Sequence, residues 1–448
     1  MKTIRPRDGM SLRENVRLEP GVYFLPKGIV VENSNVVLEA HGVLLVGSDR
    51  QGQGISVRCH HRVTIVGLSV TNYYHGIYAE DCKGLCVRQC SVFGTHEEAP
   101  NTLFLNIWLP LEQAYGSALC LARCEKAVVE QNCFQHQQNG ILAYACRELM
   151  VRKNECNYNS GWGIYLHETS DSMFEENSCD YCCRFEPRTG GIHHGHMGAD
   201  SAGFLAVKNS CRNLFLRNRA RMSGDGFFLA GLSPAGDACG CNENIFENND
   251  ASLSPNISFE ATFCENNVFR ENIASRSNFG FWLGFSKNFV VEGNQIIQNR
   301  QAGIAVENGV YFVVRNNHFQ GNKYGVLLWS RRQDNFFRAY PDRDTSRDWE
   351  ISHNRFMENH TAIRIAANQD HGIRSLEDPS HFSSSLPHSH SITHNDIQDN
   401  RIGIELVSTN KNLIQGNILN KNVEANLRLC DAEDNQIVAN LGAKGAYL

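Results

Sequence analysis

Glutamates and tryptophans stand at repeated places in this chain, and acid–base chemistry on a sugar is what such a set can perform. In four short phrases Glu260 and Trp282 take the second place after Ser258 and Gly280, and Glu307 and Trp329 the fourth after Gly303 and Gly325. The phrases are Ser258-Phe-Glu-Ala-Thr-Phe263, Gly280-Phe-Trp-Leu-Gly-Phe285, Gly303-Ile-Ala-Val-Glu307 and Tyr324-Gly-Val-Leu-Leu-Trp329. A carboxyl group beside an indole can protonate a leaving oxygen while the indole face stacks on the C–H face of a sugar ring. Glu260 falls between Phe228 and Trp282 of adjacent phrases, an apolar setting that raises a carboxyl pKa and makes it the expected general acid. Glu307, read as nearer solvent, is the expected base. The two stand two repeats apart in the stack, with that of Trp282 between them, which predicts backbones about 10 Å apart along the axis. That spacing lets the carboxyls lean into the roughly 6.5–9.5 Å range of an inverting glycoside hydrolase. Asp225 and Asp200 are the alternative partners for Glu260.

A glycine-rich stretch adds histidines, since Gly190-Gly-Ile-His-His-Gly-His-Met-Gly-Ala-Asp200 leads straight into the phrase at 202–207. His-His-x-His lacks the i, i+4 spacing of a helical metal pair, so His194 and His196, with His193, are expected to meet substrate hydroxyls. Tyr165, His167, Phe228, Trp282, Trp329 and Arg364 complete the expected substrate contacts. Cys179, Cys182 and Cys183, with Cys239 and Cys241, have metal-like spacing but no matching Cys/His pair, and no metal or cofactor is assigned.

The elements that must position these residues are short strands. Each phrase is followed by a second apolar run and an asparagine, and the asparagines recur at steps of mostly 22 to 24 residues, the mark of a solenoid. The column reads Asn132, Asn154, Asn177, Asn218, Asn248, Asn272, Asn294, Asn316, Asn354, Asn395, Asn417 and Asn440. Asparagine suits it because it tolerates left-handed backbone and because stacked amides bond from coil to coil. Cys82, Cys124, Cys146 and Cys264 form a second column, expected to be stacked, reduced and shielded. Side chains alternate along a strand, so the first and third residues of each phrase point inward, as in Ile164/Leu166, Phe281/Leu283 and Ile304/Val306. The second and fourth then form an outward row of aromatics and carboxylates that reads as a glycan groove. For Phe228, Leu327 and Trp329 a different account stands beside this, in which flanking loops cover them as a second small core. Insertions near 93–115, 184–199, 233–240, 331–348 and 368–390 supply such loops. One solenoid domain over 1–448 is expected, with irregular first coils over 1–60 and regular coils over 61–440.

A net charge of −6, from 42 Lys+Arg and 48 Asp+Glu, gives no basic stripe for phosphates and excludes a nucleic-acid partner. No apolar run approaches a membrane span, and none follows the opening residues as a secretory signal would require. Seventeen cysteines, an odd number, read as reduced thiols. A cytoplasmic protein is expected.

The repeats resemble the right-handed parallel β-helix superfamily of pectate lyases. Within it they are similar to the carbohydrate-binding and sugar-hydrolase type repeats, including the periplasmic copper-insertion β-helix proteins. The resemblance rests on phrases such as Asn294-Gln-Ile-Ile-Gln-Asn299 followed by Gly303-Ile-Ala-Val-Glu307, and covers about residues 20–440. It implies an all-β, single-stranded right-handed parallel β-helix of roughly a dozen coils, without fixing an activity. Polygalacturonase-like hydrolases would carry Asn-Thr-Asp, Asp-Asp, Gly-His-Gly and Arg-Ile-Lys in order. Only His194-Gly195-His196 is present, and the Asp-Pro-His-Asp of alginate epimerases is absent, so no catalytic residue transfers.

Three functions follow. The first is a glycoside hydrolase or transglycosylase acting on a neutral oligosaccharide or polysaccharide. The second is a polysaccharide lyase or epimerase acting on uronates, for which the outward row, with Arg364 its one arginine, carries little positive charge unless calcium supplies it. The third is a non-catalytic sugar-binding β-helix, which would not need several carboxylates beside the aromatics.

Overall fold

Short β-branched and aromatic runs separated by polar turns cannot bury a face alone, and they do so here by stacking in register, coil on coil. The computed structural model describes residues 1–100, 102–186, 196–198, 200–332, 334–368, 386–442 and 446–447. The chain packs as two compact units, Met1–Phe227 and Phe228–Leu448.

In the first unit the phrase strands Gln53–Arg58, His75–Glu80, Ser117–Ala122, Asn139–Tyr144, Trp162–His167 and Ala202–Val207 pair in parallel, each with the next. A second parallel sheet holds Thr64–Thr71, Cys86–Arg88, Val128–Glu130, Met150–Arg152, Met173–Glu175 and Leu214–Leu216. Parallel stacking already operates at Lys2–Ile4, which pairs with Val16–Leu18.

The second unit repeats the plan. Its phrase sheet runs Ile257–Thr262, Phe279–Trp282, Ala302–Glu307, Tyr324–Ser330, Thr361–Asn368, Ile402–Val407 and Ala425–Cys430. Where a glycine opens one of these phrases the coils stack close upon it, although Ser258 and Ala362 hold the same register position in other coils. A Cβ on Gly280 or Gly303 would fall 2.5 or 2.6 Å from the carbonyl oxygen of the following coil.

The strand register agrees with the alternation read from sequence. Phe259, Phe281, Ile304, Val326, Ile363 and Ile404 are in register and fully buried. Phe281 stacks on Phe259 and meets Phe269 of the opposite sheet edge-on, which places it inside. Trp282 belongs to a separate cluster with Ile257, Phe279, Leu327 and Trp329, which places it outside.

The asparagine column needs a one-residue correction at two places. In the first unit each side-chain amide donates to the next, from Asn132 to Asn154, Asn177 and Asn218. In the second unit the chain runs through Asn249, Asn272, Asn294, Asn317, Asn354, Asn395, Asn417 and Asn440. Asn248 and Asn316 are thus not rungs. They hold the preceding corner, where the backbone is left-handed, with φ of 55° and 57°. Lys153, Glu176, His353 and Gly293 hold the same corner before other rungs. Tolerance of left-handed backbone is therefore not why the rungs are asparagine; buried amide-to-amide bonding is.

The thiols are shielded as expected, though Cys264 stands apart in the second unit, its N–H donating to the Ser286 hydroxyl. Cys82, Cys124, Cys146 and Cys264 are buried free thiols. The Cys124 N–H donates to Cys146 Sγ at 3.4 Å, and hydrogen bonding to Cys146 pushes the Cys124 thiol up to about 12.

Candidate functional site

On the outer face of the second unit, one column in register reads Glu260, Trp282, Ala305, Leu327, Arg364 and Glu405. Glu307 is two residues further along its strand, in register with Trp329. Two coils and two residues separate the Glu260 and Glu307 backbones by about 12 Å, with neither directly above the other. The solvent order expected from sequence is reversed. Glu307 is 4% exposed, with Arg331 Nη1 at 3.6 Å, whereas Glu260 is half-buried. The reason is the insertion at 331–348, which the chain lays over the far end of this face. Ser330 and Thr345 hydroxyls meet at 2.7 Å, and Asn308 donates to the carbonyls of Arg331 and Arg343.

The row is therefore largely roofed and is not an open groove. Trp329 and Leu327 are fully buried, and Phe228 and Trp282 nearly so, as the small-core account anticipated for Phe228, Leu327 and Trp329. Arg364 is buried and pairs with Glu405, which also accepts from Arg428 Nη1 at 3.2 Å. Glu260 and Thr262 stay accessible at one edge.

Beside Thr262 a cleft of about 560 Å³ opens between two insertions. One wall is the turn at 232–236, closed by Ser233 N–H donating to the Asp237 carbonyl at 3.0 Å. The other is the helix Asp334–Ala339, carrying Asn335, Phe336 and Arg338. The helix is held down by aromatic packing, with Phe336 edge-on to Phe263 and Phe285 at 4.8 and 5.0 Å. The Tyr340 hydroxyl donates to the Gly231 carbonyl at 2.8 Å. Beneath it Arg343 is fully buried, bonded to the Phe285 carbonyl and paired with Glu265.

In the first unit the expected residues are scattered. Tyr165 is fully buried, stacks on Trp162 and donates its hydroxyl to the Ile107 carbonyl, so the 93–115 insertion covers it. Asp225 is 1% exposed. Asp200 sits in a left-handed corner, and its carbonyl accepts from Trp162 Nε1. His196 lies in a two-residue strand antiparallel to Phe185–Glu186, while His193 and His194 fall outside the described residues. Sequence reasoning missed Arg58 and Arg123, which converge on Glu80, with Arg58 4.5 Å over the Tyr78 ring. Arg58 precedes the regular phrases and Arg123 follows one, so only coil stacking brings them together.

His167 is buried beside Tyr144, and its Nε2 has no hydrogen-bond partner. Burial, aided by Lys208, pushes its pKa down to about 4. The unfolded chain, with a pKa near 6.5, takes up this proton first, so the associated stability is complete above about pH 6.5 and falls as pH drops toward 4. By pH 5 the loss is about 2 kcal/mol. Urea unfolding of wild type and His167→Gln at pH 7.5 and 5.0 measures it. The wild type is expected to lose more stability on acidification than the variant, and equal losses would contradict this account.

Two more clefts lie on the surface. One of about 400 Å³ in the first unit is lined by Lys27, Tyr74 and His75. Burial pushes the His75 pKa down to about 3, and its Nδ1 meets the Ser117 hydroxyl. The other, about 740 Å³ in the second unit, carries Arg300, Lys323, His360 and Arg401 on successive coils with Glu358 and Asp399 opposite. Among the described residues no three His, Cys, Asp or Glu side chains converge on a metal position, and no helix is long and apolar enough to cross a membrane.

The chain matches the family described as right handed beta helix region over residues 105–236 and 233–339, more than half its length. No curated protein matches it. Among solved structures it is similar to a periplasmic alginate epimerase, AlgG, at 13% identity over 88% of this chain and 79% of that chain, TM-score 0.44. It is similar to the Dettilon tailspike protein at 12% identity over 69% and 60%, TM-score 0.48. It is also similar to the catalytic domain of a GH87 α-1,3-glucanase in complex with nigerose, at 8% identity over 96% and 64%, TM-score 0.44. At these identities the likeness is one of fold alone.

Proposed function

The chain belongs to the right-handed β-helix family, and from that premise we propose that it is a carbohydrate-active enzyme that hydrolyses a glycan at the outer face of its second unit. The observation that carries this is the position of Glu260, a half-buried carboxylate in register with Trp282 and two residues from the cleft at Thr262. A sugar at that edge meets the half-open Phe263 ring on one side and a proton source on the other. Glu260 is the general acid that protonates the leaving oxygen. Glu307, its backbone about 12 Å away, is the second carboxylate, and in that role the 331–348 insertion that covers it must open to admit the water of an inverting reaction. Arg331 Nη1 lies 3.6 Å from Glu307 Oε1 and orients that carboxylate.

A second reading, a lyase or epimerase acting on uronates, is favoured by Arg58 and Arg123 around Glu80 in the first unit. Arg123 also pairs with Asp81, so the two arginines are matched by two carboxylates and offer a uronate guanidinium donors, not net positive charge. Incubating the protein with neutral and uronic oligosaccharides, with and without chelator, separates the readings. New reducing ends without ultraviolet absorbance support the hydrolase. Unsaturated ends or an inverted C5 centre support the second reading, and binding without turnover would overturn both.

A further inference from the structure

Left-handed corners after the phrase strands are occupied at other coils by Asp81, Arg123, Ala145, Glu168, Asn308 and Ser408. At two adjacent coils of the second unit the corner is Phe263, with φ of 60°, and Phe285, with φ of 52°. A bulky side chain in that region is a strained outlier and persists only where something else is gained. Part of the gain is packing, since the two rings stack at 5.0 Å and Phe336 sits edge-on to both. Packing does not explain the remaining exposure. Phe285 is buried, but Phe263 and Phe336 are left half-open, and both line the cleft at Thr262.

The polar lining of that cleft is one-sided. Thr262, Ser233 and Asn335 offer hydrogen bonds, Arg338 offers a full positive charge, and no carboxylate is among the lining residues. Arg338 is exposed on the helix Asp334–Ala339 and makes no ion pair among the described residues. Arg270, Arg315, Arg364 and Arg401 of the same unit are each paired to a glutamate, whereas Arg276 and Arg300 bond the amides of Gln298 and Asn278 and Arg355, like Arg338, is in no ion pair; of these four without a carboxylate partner among the described residues, Arg338 is the one that lines the cleft at Thr262. A guanidinium without a protein counter-ion, at the mouth of an aromatic-floored cleft of sugar size, is equipped for a ring carrying an anionic substituent.

We infer that this cleft binds a sugar unit bearing an acidic group, with the ring against Phe263 and Phe336 and the acid on Arg338. The inference rests on the glycan reading of Glu260 and changes it in one respect: the glycan is acidic at the unit held beside the cleaved bond. Thr262 is two residues from Glu260, about 6.6 Å along the strand, so both groups can contact one chain.

The test is saturation-transfer NMR on the full chain with four probes: glucose, glucuronate, glucose 6-phosphate and glucose 6-sulfate. At least one acidic probe is expected to bind ten-fold or more tighter than glucose, and which one does so names the acid. Arg338→Gln, a surface change on the helix, is expected to remove that preference while leaving the melting temperature unchanged, and Arg338→Lys to retain part of it. Equal binding of all four probes, or a preference unaltered in Arg338→Gln, would overturn the inference. Glycan cleavage without an acidic preference would leave the hydrolase reading standing and defeat this one. An Arg338-dependent preference with no cleavage of any glycan would do the reverse.

Discussion

Glu260→Gln lowers glycan turnover by roughly 10²–10⁴, the range for loss of a positioned general acid. The substitution keeps the side chain's shape and removes only the proton that the leaving oxygen needs. Glu260 is half-buried at the edge of the phrase sheet, so a neutral amide there is easily solvated and the melting temperature should stay close to wild type. The loss is expected in kcat, with KM little changed, because the carboxyl acts in the transition state and the contacts with Phe263 and Phe336 at the cleft remain. Substrates with a good leaving group, which need no protonation, should be spared. Asp225→Asn is a poor comparison, because Asp225 is 1% exposed and a change there disturbs folding as well as chemistry. Near-wild-type turnover in Glu260→Gln with the fold intact would remove Glu260, and with it the proposed mechanism.

Arg343→Met destabilises the second unit by about 3–4 kcal/mol, from the loss of charged hydrogen bonds and a desolvated cation–π contact. The Arg343 side chain is completely buried. Its Nη1 donates to the Phe285 carbonyl at 2.5 Å, its Nη2 pairs with Glu265, and its guanidinium lies 4.0 Å over the Tyr340 ring. Methionine fills most of the volume but leaves the Phe285 carbonyl without its donor. Glu265, about one-third exposed, can turn to water, so its charge adds little to the loss. The effect should spread through the insertion at 331–348, because Tyr340 ties it to Gly231 and Phe336 to Phe263. Urea unfolding should show the lower midpoint, and probe binding at the Arg338 cleft should weaken in parallel. A loss under about 1 kcal/mol would mean that the aromatic contacts hold the insertion without Arg343.

Several features of this protein were determined by sequence alone. Alternation within the phrases identifies Phe281 and Ile304 as core and Trp282 as outward, because a strand has a side-chain period of two and one face must be apolar. Repeat length and rung asparagines identify the stacked coil, because each coil can satisfy buried amides only through its neighbours. The doublets Asn248-Asn249 and Asn316-Asn317 mark where that reading runs out. Either residue could be the rung, and the amide-to-amide bonds of Asn249 and Asn317, with the corner angles of Asn248 and Asn316, separate them. The outer face depended still more on tertiary structure. Burial of Glu307 and Trp329 comes from the insertion at 331–348, whose landing place no periodicity encodes. The meeting of Arg58 with Arg123 on Glu80 and the cleft between residues 232–236 and Asp334–Ala339 arise between segments distant in sequence. Local pattern specifies which way a strand residue points, but what covers it is set by long-range packing, and that decides whether an outward carboxylate meets water, an arginine or a substrate.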